Sequence, residues 1–195
     1  MAEDREIASE DRPKVYLETS FMFYLTGRET TDQKIASEQA YTRKWWEEQG
    51  PHCRMFCSQF VIEESLRRDL ERVRMRQEKI AQTSLLPLDA KVDVIAQKLL
   101  DGYAVPKNEV TDAQHIAISA FYGMDYLLSW NCHHLANPVT FPKTKRIIES
   151  FPMRPLNCTR FNCSIMIIVL FGAKIYHSHS AFKAASHGFS FFNVL

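Results

Sequence analysis

Three short β-forming runs constrain this chain most: Val15-Tyr16-Leu17, Arg54–Ser58 and Asp125–Ser129. The stretches between them are far too long for hairpins and are rich in helix formers. Successive strands therefore return to one sheet by crossover and lie parallel, under a cover of helices. Phe21–Leu25 continues from the first run at helical spacing, and Asp32–Gln49 reads as a helix stopped by Gly50-Pro51. Phe60 to about Ala81 contains no Gly or Pro and reads as one or two helices. Asp89–Leu100 reads as another, with Gly102 just past its end. Thr111-Asp112-Ala113-Gln114 has the capping-box pattern, opening a helix that ends near Gly123. Phe141–Phe151 is the last expected helix, and Leu156–Thr159 is a candidate fourth strand. The expected class is α/β, a central parallel sheet of about four to five strands flanked by helices.

Charge divides the chain unevenly. Every Asp and Glu lies at or before Glu149, and only four of the 24 basic residues follow it, which leaves 20 basic against 23 acidic groups in 1–149. Bulk positive charge is thus excluded as a means of holding nucleic acid; any such contact is local or carried by a metal. Residues 1–13 read as a polar, disordered leader, and 14–159 as the folded domain. Residues 160–195, with no acid and a cluster of Phe and Ser, read as an atypical tail, appended or frameshifted. The acidic start is the opposite of a signal peptide. The longest apolar stretch, 164–172, falls well short of the roughly 20 residues of a spanning helix. Five cysteines form no disulfide framework, so a reducing, cytosolic setting is expected and a membrane is not.

In open α/β sheets, ligands gather at the carboxyl ends of the strands. Glu18 directly follows the first run and Glu64 lies just after the second. Asp112 opens the helix before the third run, and Asn131 sits immediately after it. Singly, each has an ordinary explanation; an acid in a helix's first turn, for example, complements the helix dipole. Brought to one point, three carboxylates repel one another, and burial drives them toward protonation. A divalent cation removes the conflict, and oxygen donors of this kind suit magnesium or manganese better than zinc. Glu63, one helical position from Glu64, points about 100° away.

VYLETSFMFYLTGR, CSQFVIEES and DAQHIAISAFYGMDYLLSWNCHHLAN resemble the three signature blocks of PIN domains. They are most similar to the toxin nucleases of VapBC-type toxin–antitoxin systems, in a bacterial branch with Glu in the first block and a TWN-like third block. The resemblance spans roughly residues 14–159. It implies a PIN-like fold and metal-dependent cleavage of RNA phosphodiesters. It also implies a small antitoxin partner and, in many such toxins, a homodimer. The family's three acids fall on Glu18, Glu64 and Asp112, its small hydroxyl residue on Ser20, and a fourth, commonly acidic position on Asn131. Glu18 is one methylene longer than the usual Asp, and Asn131 is neutral, which weakens the case for a second metal. The alternative is a catalytically weak or inactive PIN-like module that binds RNA or a protein.

Other residues invite weaker expectations. Arg67, Arg68, Arg72, Arg74 and Arg76 form a basic segment able to track a nucleic-acid backbone, or else a solvated helix face with Asp69 and Glu71 interspersed. Trp45-Trp46 offers stacking for bases or packing for a core. Cys53 and Cys57, with Cys132-His133-His134, supply zinc-type donors but lack the usual CxxC spacing.

Overall fold

β1 (Lys14–Leu17) is the strand against which the rest is laid: Val15, Tyr16 and Leu17 are all fully buried. A strand apolar on both faces belongs inside a parallel sheet, with helices on either side. In the computed structural model β1 pairs in parallel with β2 (Arg54–Ser58) on one side and with β4 (Tyr126–Ser129) on the other. β3 (Ser84–Leu86) joins β2, and β5 (Met166–Val169) joins β4, both in parallel, giving the order β3-β2-β1-β4-β5. The structure describes residues 12–67, 69–131, 135 and 139–151, together with the backbone of 166–169.

Among the described residues, seven α-helices surround this sheet: α1 (Thr19–Leu25), α2 (Gln33–Glu48), α3 (Gln59–Ser65), α4 (Leu70–Ile80), α5 (Ala90–Asp101), α6 (Val110–Phe121) and α7 (Phe141–Glu149). The chain is therefore α/β, the class the alternating runs predict, and the architecture is consistent with a PIN-like fold. Among the described residues no helix is long and apolar enough to cross a membrane.

Local chemistry explains most of the boundaries. The Asp32 side chain accepts from the amides of Lys34 and Ile35, and Asp89 caps α5 by accepting from Lys91. Phe60–Ala81 resolves into α3 and α4 because Asp69 accepts from the Glu71 amide and starts the second helix afresh. At the end of α6, Gly123 takes a φ of 59°. The Met124 amide donates to the Ser119 carbonyl and the Gly123 amide to that of Ala120, a Schellman closure. After α5 the left-handed residue is Tyr103, with a φ of 51°, and not Gly102. Gly102 is small for a different reason: a Cβ there would meet the Ile147 side chain of α7 at 2.6 Å.

Three expectations need revision or fall elsewhere. The capping box at Thr111 does not form. A backbone turn, Glu109 amide to Pro106 carbonyl, launches α6 at Val110, so Thr111 and Asp112 lie inside its first turn. β3 was not anticipated; it is three residues long, exposed at Ser84 and Leu85, and stopped by Pro87, so it shows no alternation to read. Leu156–Thr159 lies outside the described residues. The strand beside β4 is Met166–Val169, within the segment set apart as a tail.

Trp45 and Trp46 are core residues. Phe21 meets Trp45 edge-on, with centroids 5.4 Å apart, and lies 6.5 Å from Trp46. Leu127, in the interior strand β4, is fully buried, whereas Leu85 in the edge strand β3 is 54% exposed. Leu127→Ala is expected to cost about 2–5 kcal/mol through lost contacts and the cavity left behind. Leu85→Ala should stay within about 0.5 kcal/mol. Urea unfolding of the two variants checks this contrast, and equal losses would contradict the assignment of the sheet's interior and edge.

Candidate functional site

The order of the strands creates a switch point. From β1 the chain winds outward through β2 and β3, then returns to the opposite side of β1 as β4. Connections on the two sides leave in opposite directions, opening a crevice at the strands' carboxyl ends. Glu18 follows β1 there, Ser58 ends β2, Ser129 ends β4, and α3 and α6 bring in Glu64 and His115.

Glu18 is 5% exposed, and a buried carboxylate needs donors. Its Oε2 accepts from the Ser20 amide at 3.0 Å, from the Ser20 hydroxyl, and from the Ser129 hydroxyl at 2.8 Å. The same Ser20 hydroxyl oxygen accepts from the Trp130 amide at 2.8 Å, stitching the ends of β1 and β4 together. Trp130 is anchored in turn: its indole donates to Thr42 and its ring stacks on Tyr24, with centroids 5.1 Å apart. This pinning sets the direction of Asn131, whose amide donates to Ser129 Oγ at 2.9 Å and whose Nδ2 donates to Asp112 Oδ2 at 2.9 Å.

Glu18 Oε1 faces the other way, 3.9 Å from His115 Nε2. Glu64 Oε2 lies 3.1 Å from the same nitrogen and accepts from the Thr19 hydroxyl. His115 is fully buried, and its Nδ1 sits 2.8 Å from the Tyr16 hydroxyl, which in turn meets Ser58 Oγ at 2.7 Å. Burial alone would raise the Glu64 pKa. Hydrogen bonds from His115 and Thr19, with the charges of His115 and Arg67, outweigh it and hold the carboxyl below its ordinary value. Tyr16 is pushed well above the usual phenol range, chiefly by burial, so it stays a neutral hydroxyl.

Among the described residues, Glu18, Glu64 and His115 offer ligand atoms that all lie within 4.8 Å of one another. Asp112, 8% exposed, is not in that set, although Asn131 and Ser129 link it to Glu18 through hydrogen bonds. Ser20 is bonded to Glu18 through both its amide and its hydroxyl. His115 lies in the third block and is not among the residues the resemblance assigns to the site. The available signal was its spacing of three from Asp112, which puts both side chains on one helix face. The two carboxylates and the buried imidazole fit a divalent cation as a donor set, because their ligand atoms converge and each side chain is held by a further hydrogen bond.

The basic segment is not one surface. Arg67 is exposed beyond α3, and Arg68 lies outside the described residues. Arg72 donates to the Thr26 carbonyl at the end of α1. Arg76 is 2% exposed, donates to the carbonyls of Ser65 and Arg67, and lies over the Phe23 ring at 4.2 Å. Arg72 and Arg76 thus satisfy backbone carbonyls at the junctions between helices. Glu63 is exposed and bonded to Gln59. The chain matches no family model, no curated protein and no solved structure.

Burial, only partly offset by Arg12, pushes the Cys53 thiol up to about 12. It raises Cys57 as well, against a hydrogen bond from Thr83. Both stay protonated thiols near neutral pH; Cys132, His133 and His134 lie outside the described residues. Maleimide at pH 8 should leave Cys53 and Cys57 unlabelled in native protein and label both in denaturant, as read by mass spectrometry. A rapidly labelled native Cys53 would contradict this.

Glu64 makes stability depend on pH with a definite sign. Its folded pKa lies below the unfolded value, so its contribution is complete above the ordinary carboxylate range and is lost as pH falls through the folded value. Thermal unfolding of wild type should therefore weaken on acidification below about pH 5 more steeply than that of Glu64→Gln. Parallel profiles would show that Glu64 carries no such linkage.

Proposed function

We propose that the chain is a metal-dependent endoribonuclease of PIN-like type, the toxin of a VapBC-type toxin–antitoxin pair. One observation carries this reading: Glu18 and Glu64, acids from two of the three resembling blocks, converge within 4.8 Å of a buried histidine at the carboxyl end of the sheet. Asp112 and Asn131, from the third block, are linked by hydrogen bonds to Glu18. RNA is the substrate class, magnesium or manganese the expected ion, and a small antitoxin the expected partner.

When bound, the ion supplies an activated water at neutral pH and offsets charge on the phosphate. The chain's own residues do the rest. Ser20 and Ser129 fix one oxygen of Glu18, so the other points inward without choosing among rotamers. Thr19 and His115 orient Glu64, which is 24% exposed at the side chain and gives the site its opening to substrate. Asp112 and Asn131 form a pair beside this opening, where a carboxylate and a neutral amide can position a water or the phosphate's neighbouring groups.

A second reading has one observation in its favour. The Asn131 amide occupies an oxygen of Asp112, which stands outside the set of close ligand atoms. In that case the fold is kept as a non-catalytic module that binds RNA or a protein. Calorimetry separates the two, since the module should take up no manganese at millimolar concentration.

Purified protein incubated with labelled single-stranded RNA should cleave it with manganese and not with EDTA. Asp112→Asn and Glu64→Gln should each lower the rate by on the order of 100-fold or more while leaving the thermal unfolding transition in place. Full activity in Asp112→Asn would remove that residue from the site. No cleavage of several RNAs by folded wild type would favour the binding module.

A further inference from the structure

We infer that His115 is itself a ligand, so that with Glu18 and Glu64 it forms a mixed nitrogen–oxygen centre that takes manganese, cobalt or zinc in preference to magnesium. The inference rests on the metal site of the proposed nuclease and specifies its donor set.

Geometry favours the imidazole over Asp112 as the third donor. Ligand atoms about 2.0–2.2 Å from one ion lie roughly 3.0–3.6 Å from each other. His115 Nε2 is 3.1 Å from Glu64 Oε2 and 3.9 Å from Glu18 Oε1, and the three ligand atoms all lie within 4.8 Å of one another, so a cation would draw them together by side-chain adjustment alone. Asp112 instead receives the Asn131 amide. The extra methylene of Glu18 fits this arrangement, since it carries Oε1 toward His115 while Oε2 stays fixed by Ser20 and Ser129.

A ligating histidine must present a lone pair, and the surroundings of His115 allow it. With the proton on Nε2, the ring donates to Glu64, Tyr16 donates to Nδ1, and Ser58 donates to Tyr16. With the proton on Nδ1, the ring donates to Tyr16, Tyr16 donates to Ser58, and Nε2 is open toward the carboxylates. The Nε2–H tautomer gives both ring nitrogens and the Tyr16 hydroxyl matched partners, and the Nδ1–H tautomer leaves on Nε2 a lone pair that a bound cation would satisfy. A hydrogen-bonding group behind the ring is the usual support for a metal-bound histidine. Imidazole nitrogen suits zinc, and the later first-row ions generally bind nitrogen better than magnesium does; magnesium prefers oxygen and retains its waters.

The test uses the full chain and metal salts alone. In protein labelled with ¹⁵N-histidine, zinc should move the Nε2 resonance of His115 and fix its proton on Nδ1, and magnesium should leave that resonance unchanged. The His115→Gln spectrum assigns the signal among the seven histidines. By calorimetry, His115→Gln should lose on the order of tenfold or more in manganese and cobalt affinity and keep its magnesium affinity. Tyr16→Phe, which leaves every proposed ligand in place, should lose roughly 10- to 100-fold in cobalt affinity. Circular dichroism confirms that each variant is folded. An unmoved His115 resonance with zinc bound at the site, or an unchanged manganese-to-magnesium ratio in His115→Gln, overturns the inference and leaves the nuclease reading standing. Failure of wild type to bind any of these ions at millimolar concentration overturns both.

Discussion

A carboxylate buried at the end of a buried strand is the constraint on which this structure turns. Glu18 has little access to water, and Val15, Tyr16 and Leu17 before it have none. An isolated charge in that position is costly enough to change its protonation or break the fold. The solution is local and dense. Two donors come from Ser20, in the first turn of α1, and a third comes from Ser129 at the end of β4. The polar requirement of one side chain thus fixes how β1, β4 and α1 meet. Trp130 and Asn131, the residues that follow Ser129, inherit their positions from that junction. The crevice and the packing around it are one problem solved together.

Much of the fold was legible because long helices and strongly apolar strands leave periodic traces. β2 was read with its observed limits, and α2 and α5 start where Asp32 and Asp89 cap them. What escaped was written in backbone geometry. The start of α6 is set by a turn at Pro106–Glu109, whose hydrogen bond involves no diagnostic side chain, so a plausible capping box at Thr111 was the wrong signal. β3 is too short for periodicity, and its partner β2 determines it more than its own residues do. Gly102 does stand just past the end of α5, but its small size answers to Ile147 and a tyrosine takes the left-handed turn, which the sequence does not announce.

The site was legible in part, for a similar reason. Strand ends point to Glu18 and Glu64 because topology puts such positions at the crevice. Histidine has no preferred place in that scheme. His115 lies a turn inside α6 and is brought to the carboxylates only by the packing of α6 against α3 and β4. Arginine shows the opposite failure. Arg72 and Arg76 fall in a basic run, yet both turn inward to carbonyls that helix ends leave open, a demand invisible in the sequence because it depends on where α1 and α3 stop.

Glu18 and Asn131 are linked through this geometry. Aspartate at position 18, one methylene shorter, would be less able to keep one oxygen on Ser20 and Ser129 and extend the other to His115. Glutamate can do both, and it moves the centre of negative charge toward the imidazole. Asp112 stands outside the close set of ligand atoms and receives the Asn131 amide instead. A fourth carboxylate at 131 would face Asp112 with no cation between them, and like charges at hydrogen-bonding distance cannot both stay ionised without one. Asparagine supplies the donor that Asp112 needs. An amide at 131 is thus a better neighbour than a carboxylate for an acid that stands outside the Glu18–Glu64–His115 cluster.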